Sequence, residues 1–170
     1  MTYQLDDQIF SIHEPSLDLH LQENAQGMEA QRLFYESGAL QSECFYRSRR
    51  LHGPSRFFSE NGVLLSETWF WNGERAGIAR FFYSGGAPYA VLVFRQGQKV
   101  GRQEYFYENG QIKTVEEYFN GALHGEAILY WPNGRVKRRT YFANGQRIRA
   151  DQFWNEEGES QHPEHHARSC

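Results

Sequence analysis

Glycines recur every 24 residues along this chain, and that spacing constrains its fold more than any other feature. Gly38, Gly62, Gly86, Gly110, Gly134 and Gly158 form one comb. Gly73, Gly97, Gly121 and Gly145 form a second in the same register, with Arg49 standing in the earlier copy. Gly53, Gly77, Gly101 and Gly125 form a third. A fixed period of this length marks an array of small structural units, each needing its neighbours to complete a core.

Other columns keep the same period. Phe34, Phe58, Phe82, Phe106, Tyr130 and Trp154 are all aromatic. Leu33, Phe57, Phe81, Tyr105, Leu129 and Phe153 are all large and apolar. Tyr46, Phe70, Phe94, Tyr118 and Phe142 form a second aromatic column, while Ser42, Ser66, Ala90 and Thr114 stay small until Arg138 breaks that series. These columns are expected to be core, each ring packing on its equivalent in the next copy.

Each copy carries two turn signals. Asn61-Gly62, Asn109-Gly110 and Asn133-Gly134 mark the first, and Asn72-Gly73, Asn120-Gly121 and Asn144-Gly145 the second. Asn-Gly supplies the positive φ angles of a type I′ turn, so both are predicted to be type I′. The segments between them are too short, and too rich in aromatic and β-branched residues, for helices. Short turns join only antiparallel neighbours. The predicted fold is therefore all-β: an elongated, twisted, single-layer antiparallel meander of 24-residue hairpin repeats. Five copies and part of a sixth give about eleven strands, a sheet on the order of 50 Å long.

The ends differ from the middle. Residues 1–45 carry eight acids against Arg32, residues 46–150 carry 16 Lys/Arg against eight acids, and residues 151–170 carry five acids against Arg168. A basic centre between acidic ends points to an anionic partner, or to ends that fold back on the body. Residues 1–31 are expected to be an acidic cap or degenerate copy, 32–158 the repeat domain, and 159–170 a disordered polar tail. Cys44 and Cys170 form no disulfide framework. With no basic-then-apolar leader at the N-terminus, the expected location is cytoplasmic.

"FYENGQIKTVEEYFNGALHG" (106–125) and "RRLHGPSRFFSENGVLLSE" (49–67) resemble the MORN-repeat-variant family, whose bacterial members include YwqK-like antitoxins. The matching elements are Phe106-Tyr107-Glu108-Asn109-Gly110, Asn120-Gly121 and Leu123-His124-Gly125, with Leu51-His52-Gly53 repeating the last. The resemblance implies a non-catalytic immunity protein that binds and neutralises a cognate secreted toxin or effector. The alternative it implies is a scaffold or adaptor that organises proteins or docks on anionic membrane. The third copy departs from the pattern, with Gly85-Gly86 for Asn-Gly and Pro88 at a strand position.

No phosphate loop, zinc-type cysteine pair or nucleophile elbow is present, so no enzyme activity, cofactor or metal is expected. His52 and His124 stand three periods apart and read as repeat-structural. His162, His165, His166 and Cys170 cluster in the tail, where nothing fixes a ligand geometry. Glu43, Glu67, Glu116 and Glu117 are expected to pair with cross-strand arginines. The candidate partner site is the acid-free stretch Arg135, Lys137, Arg138, Arg139, Arg147 and Arg149, with Trp131, Trp69 and Trp71 as secondary candidates. Arginine suits bidentate carboxylate contacts and protein interfaces. The expected partner is thus a toxin with an acidic surface or cleft; nucleic acid and membrane are not the expected partners.

Overall fold

The computed structural model describes residues 27–161, and every regular element in them is a strand. The first half holds β1 (Glu29–Phe34), β2 (Leu40–Arg47), β3 (Arg50–Phe58), β4 (Leu64–Trp71), β5 (Glu74–Phe82) and β6 (Pro88–Arg95). The second holds β7 (Gln98–Lys99), β8 (Gly101–Phe106), β9 (Ile112–Phe119), β10 (Ala122–Tyr130) and β11 (Val136–Ala143), then β12 (Gln146–Arg147), β13 (Gln152–Trp154) and β14 (Ser160–Gln161). They lie in chain order across one antiparallel sheet, with β7 and β12 as short side-pairings on β6 and β11. The meander is as predicted, with twelve strands on its main path. The expected cap over residues 1–31 falls outside the described residues up to residue 26, and so does the tail's histidine cluster.

The turns alternate between two edges of the sheet, and only one edge is type I′. On that edge both central residues have positive φ, as at Asn72 (50°) and Gly73 (92°). On the other edge the prediction fails: Gly62, Gly110 and Gly134 have positive φ, but the asparagines before them do not. There Gly110 N–H bonds Tyr107 O at 2.9 Å and Tyr107 N–H bonds Gln111 O at 2.8 Å, a three-residue loop closed by the glycine. The asparagine is thereby freed for side-chain work.

Pairing register explains the columns. One unbroken cross-strand row runs Leu33, Ser42, Phe57, Ser66, Phe81, Ala90, Tyr105, Thr114, Leu129, Arg138, Phe153. Large and small residues alternate along it until Arg138. Equivalent rings are two strand spacings apart, about 10 Å, with a small residue between, so they do not stack on one another as predicted. Among the described residues the ring pairs of this region instead join Tyr83 to Tyr89 at 5.3 Å and Tyr89 to Tyr105 at 6.3 Å. The core gathers on this face around Ala79, Ala90, Leu92 and Phe94, with Phe81 and Tyr105 packed against it.

The second aromatic column is covered from the preceding copy. Arg75 lies 4.5 Å over Phe94, and the Lys99 ammonium lies 5.0 Å over Tyr118. The strands break at Val100, between β7 and β8. There Gln103, fully buried, replaces the missing ladder: it accepts from Val93 N–H at 2.9 Å and donates to Val100 O at 2.8 Å. A buried amide so placed pairs backbone groups that the break leaves open.

The opposite face carries the expected charge pairing in its first half. Arg32, Glu43, Arg56, Glu67 and Arg80 are consecutive cross-strand partners. Their salt bridges run from 2.6 Å (Arg56 to Glu67) to 3.6 Å (Arg80 to Glu67). In the second half the same row becomes Val91, Glu104, Val115 and Ile128. Glu117 departs from the expected pairing. It faces Arg102 across the ladder, but Arg102 bonds Glu104 at 2.8 Å on its own strand. Burial pushes the Glu117 carboxyl above its usual range, with Arg102 opposing and Glu104 reinforcing the shift.

Candidate functional site

The repeat puts every odd turn on one edge and every even turn on the other, giving the sheet two rims. The first rim comprises 35–39, 59–63, 83–87, 107–111, 131–135 and 155–159, where chain-reversing bonds close the loops. It carries Glu36, Glu60, Glu108, Glu156, Glu157 and Glu159 against Arg135. The second rim comprises 47–51, 71–75, 95–99, 119–123 and 143–147. It carries Arg47, Arg49, Arg50, Arg75, Arg95, Lys99 and Arg147 against Glu74. One rim is acidic and the other basic. Charge therefore divides across the sheet's width, as well as along the chain.

Side chains staple the acidic rim from copy to copy. Tyr35 donates its hydroxyl to Phe58 O at 2.8 Å, Tyr83 to Phe106 O at 2.8 Å, and Tyr107 to Tyr130 O at 2.7 Å. Trp131 continues the series through its indole N–H, at 3.0 Å from Trp154 O. The freed asparagines add a second staple. Asn133 accepts from Arg135 N–H at 3.0 Å and donates to Glu156 O at 2.9 Å, and Asn109 repeats this with Gln111 N–H and Pro132 O. Sequence reading missed both devices. The signal was present: positions 35, 59, 83, 107, 131 and 155 read Tyr, Ser, Tyr, Tyr, Trp, Asn, all able to hydrogen-bond at one period.

The basic stretch 135–149 does not form one patch. Arg135 sits on the acidic rim and donates to Glu156 O at 3.0 Å. Lys137 lies 3.8 Å over the Trp131 ring. Arg139 points to the same face as Lys137; its Nε is 3.6 Å from Glu126 and its guanidinium is 6.0 Å over Trp154. Arg138 projects to the opposite face, exposed between Leu129 and Phe153. Arg147 is 3.4 Å from Asp151, and Arg149 lies 4.7 Å over Tyr141. Of the six, Arg138 alone has no side-chain partner among the described residues. Trp69 is half-buried opposite Pro54.

Trp71 belongs to the basic rim, and there the unengaged groups converge. Its side chain is 53% exposed and rests on His52, ring centroids 4.4 Å apart. Phe119, 60% exposed, holds the equivalent place two copies on, against His124 at 5.8 Å. His124 also lies 3.4 Å from Asn144 N–H of the following type I′ turn, as His52 lies 3.5 Å from Asn72 N–H. Positions 47, 71, 95 and 119 thus read Arg47, Trp71, Arg95, Phe119: cation, ring, cation, ring. Arg47, Arg49, Arg50 and Arg95 are exposed and form no ion pair, hydrogen bond or ring contact among the described residues. Arg49 is also strained, with φ of 63° where the later copies place glycine. Such a residue costs on the order of 1 kcal/mol, and strain of this kind gathers at functional surfaces.

Behind the rim, Lys99 donates to Tyr105 at 2.9 Å, and Tyr118 donates to Glu116 at 3.3 Å. Burial pulls the Lys99 ammonium down, but the Tyr105 hydrogen bond and the charges of Tyr105, Tyr118 and Glu116 hold it above the ordinary lysine value. Burial, then Glu116, raises the Tyr118 hydroxyl. This network fixes one rim cation in place.

The family described as MORN repeat variant matches residues 30–48, 51–72, 99–120 and 123–144, together half of the chain. The chain belongs to the MORN repeat variant family. The matches leave out 73–98, the copy with Gly85-Gly86 and Pro88. Pro88 begins β6 and faces Phe82 at a register shift that β1–β2, β3–β4, β8–β9 and β10–β11 share, where a proline is tolerated. No curated protein matches this chain. Among solved structures it is similar to accessory secretory protein 1, 2 and 3 of Streptococcus pneumoniae, at 14% identity and a TM-score of 0.35. It is also similar to the glycosylation-associated protein complex of Streptococcus agalactiae, at 18% identity and a TM-score of 0.36. Each likeness covers 59% of this chain and 18% of the other, so this chain spans under a fifth of the length of either.

Proposed function

We propose that this MORN-repeat sheet is a non-catalytic, cytoplasmic bacterial immunity protein that binds a cognate toxin or effector and blocks its action. The observation that carries the reading is the basic rim. Four exposed arginines have no partner among the described residues, and two of them, Arg47 and Arg95, alternate with the exposed rings of Trp71 and Phe119. Arginine and large aromatics are the residues that dominate protein–protein binding energy. An acidic surface on the partner would supply the missing carboxylates and speed association. The internally paired sheet serves as a rigid backing that holds the rim in a bound-like shape.

The test is growth protection. A candidate toxin, sought among the genes that neighbour this one, is expressed in a bacterial host, alone and with the chain. Restored growth is the expected result, lost when Arg47→Glu and Arg95→Glu are introduced together. A folded wild-type chain that gives no protection overturns the immunity reading. Protection that survives both reversals keeps the function and moves the site off the rim.

A further inference from the structure

We propose that the basic rim of one molecule docks on the acidic rim of a second molecule of the same chain, with Arg95 of one set against Glu108 of the other. This rests on reading the basic rim as a binding surface, and not on the identity of any toxin. One repeat makes both rims, so their turn positions recur at one spacing, two strands of the sheet or about 10 Å. The rims are therefore commensurate, and the side chains decide whether they fit.

On the basic rim the residue before each turn reads Arg47, Trp71, Arg95, Phe119. These stand four positions after Glu43, Glu67, Val91 and Val115, which share one cross-strand row. Strand alternation thus projects all four from the face of the charge ladder. On the acidic rim the equivalent loop positions read Glu36, Glu60, Ser84, Glu108, Pro132, Glu156, all exposed. None of these four carboxylates forms an ion pair or hydrogen bond among the described residues. From Glu60 to Glu156 an acid alternates with an uncharged residue, as a cation alternates with a ring from Arg47 to Phe119.

Two registers match all four basic-rim positions. With the molecules running the same way, Arg47, Trp71, Arg95 and Phe119 meet Glu60, Ser84, Glu108 and Pro132. With the molecules opposed, they meet Glu156, Pro132, Glu108 and Ser84. Both set Arg95 against Glu108 and lay the two rings on Ser84 and Pro132. Sliding either register by one step puts carboxylates on both rings.

Twist sets the extent of the contact. Neighbouring strands rotate by about 20°, so two rims meet along a short tangent and the molecules cross at an angle. Contact centres on Arg95 and the ring on either side, roughly 20 Å of each rim. Contacts this small are weak and transient. The docking is heterologous, and each molecule keeps one free rim of either sign, so association does not close at a dimer. A nucleic acid fits less well, because the acidic rim repels it and its phosphates offer the rings no uncharged positions. An acidic partner protein has to displace the second molecule, so partner binding and self-association compete for one rim.

The test follows the purified full-length chain by sedimentation equilibrium across a concentration series, with no toxin present. The average mass should rise above the monomer with concentration in about 10 mM salt, where screening reaches about 30 Å, and return to it in about 1 M salt, where screening falls to about 3 Å. Glu108→Arg sets cation against cation and Arg95→Glu sets acid against acid. Each variant alone should stay monomeric, with the circular dichroism of the wild type. Mixed in equal amounts they should associate again, because every contact between unlike variants joins opposite charges. A wild-type chain that is monomeric throughout overturns the proposal. Association that survives high salt or either single variant overturns it too, as does a mixture that stays monomeric. Growth protection is read in cells with a toxin present, so each of these failures leaves that result untouched.

Discussion

The two rims of the sheet are made by the same 24-residue unit, yet they differ in what their side chains are free to do. On the acidic rim six side chains are spent on the next copy: the Tyr35, Tyr83 and Tyr107 hydroxyls, the Trp131 indole and the Asn109 and Asn133 amides all reach carbonyls 23 residues on. On the basic rim the backbone does that work, as when Gly73 N–H bonds Leu51 O at 2.7 Å and Gly145 N–H bonds Leu123 O at 2.8 Å. Side chains at the basic rim are therefore left over. An array can place stability on one edge and recognition on the other because its two turn types satisfy their backbones differently.

The largest expected effect breaks the stapled edge. Tyr83→Phe and Tyr107→Phe each remove one hydroxyl that bonds a part-buried carbonyl, at about 1 kcal/mol apiece. The two bonds join different pairs of copies, so the double variant should lose about 2 kcal/mol, read as a lower denaturation midpoint in urea. A double variant as stable as the wild type would mean that the hydroxyls are ornaments of the rim and that the contrast between edges is false.

The next effect has the opposite sign and tests the free edge. Arg49 holds φ of 63° in a turn whose later copies use Gly73, Gly97, Gly121 and Gly145. Arg49→Gly removes left-handed strain worth about 1–2 kcal/mol and forfeits part of it to the freer unfolded chain. A net gain of about 1 kcal/mol in thermal stability is expected, together with weaker protection in the growth assay. A variant that gains stability and keeps full protection would show that Arg49 contributes nothing to the site.

These contrasts also show which parts of the molecule the sequence exposes. The glycine combs, the alternating columns and the Arg32–Arg80 ladder are periodic in composition, and periodicity is readable without coordinates. The rim charges are periodic too, but they follow the turns, and summing charge by consecutive segments hid them. The stretch 135–149 looked like one basic patch because its residues are neighbours in sequence. Strand alternation sends Arg138 to one face and Lys137 and Arg139 to the other, while Arg135 and Arg147 lie on opposite rims. The two turn types were indistinguishable because both are spelled Asn-Gly. What separates them is the loop length between paired residues, which the dipeptide does not specify.

The smallest effect probes a half-buried acid near the basic rim. Glu117 stands on β9, two residues before Phe119, and its carboxyl is raised chiefly by burial, with Arg102 opposing and Glu104 reinforcing. The folded-state pKa lies above the ordinary value of 4.5, so the folded chain binds the proton more tightly than the unfolded one. Below that value both states are protonated and the side chain carries no penalty. As pH rises through the folded-state value, the carboxylate must ionise in a poorly solvated site, and stability is lost. Glu117→Gln keeps the shape without the charge, and should match the wild type at acid pH and exceed it near neutrality. Thermal melts across that range decide the point. A variant that is less stable near neutrality would mean that attraction to Arg102 outweighs burial, and that this acid is a partner of the basic side chains around it.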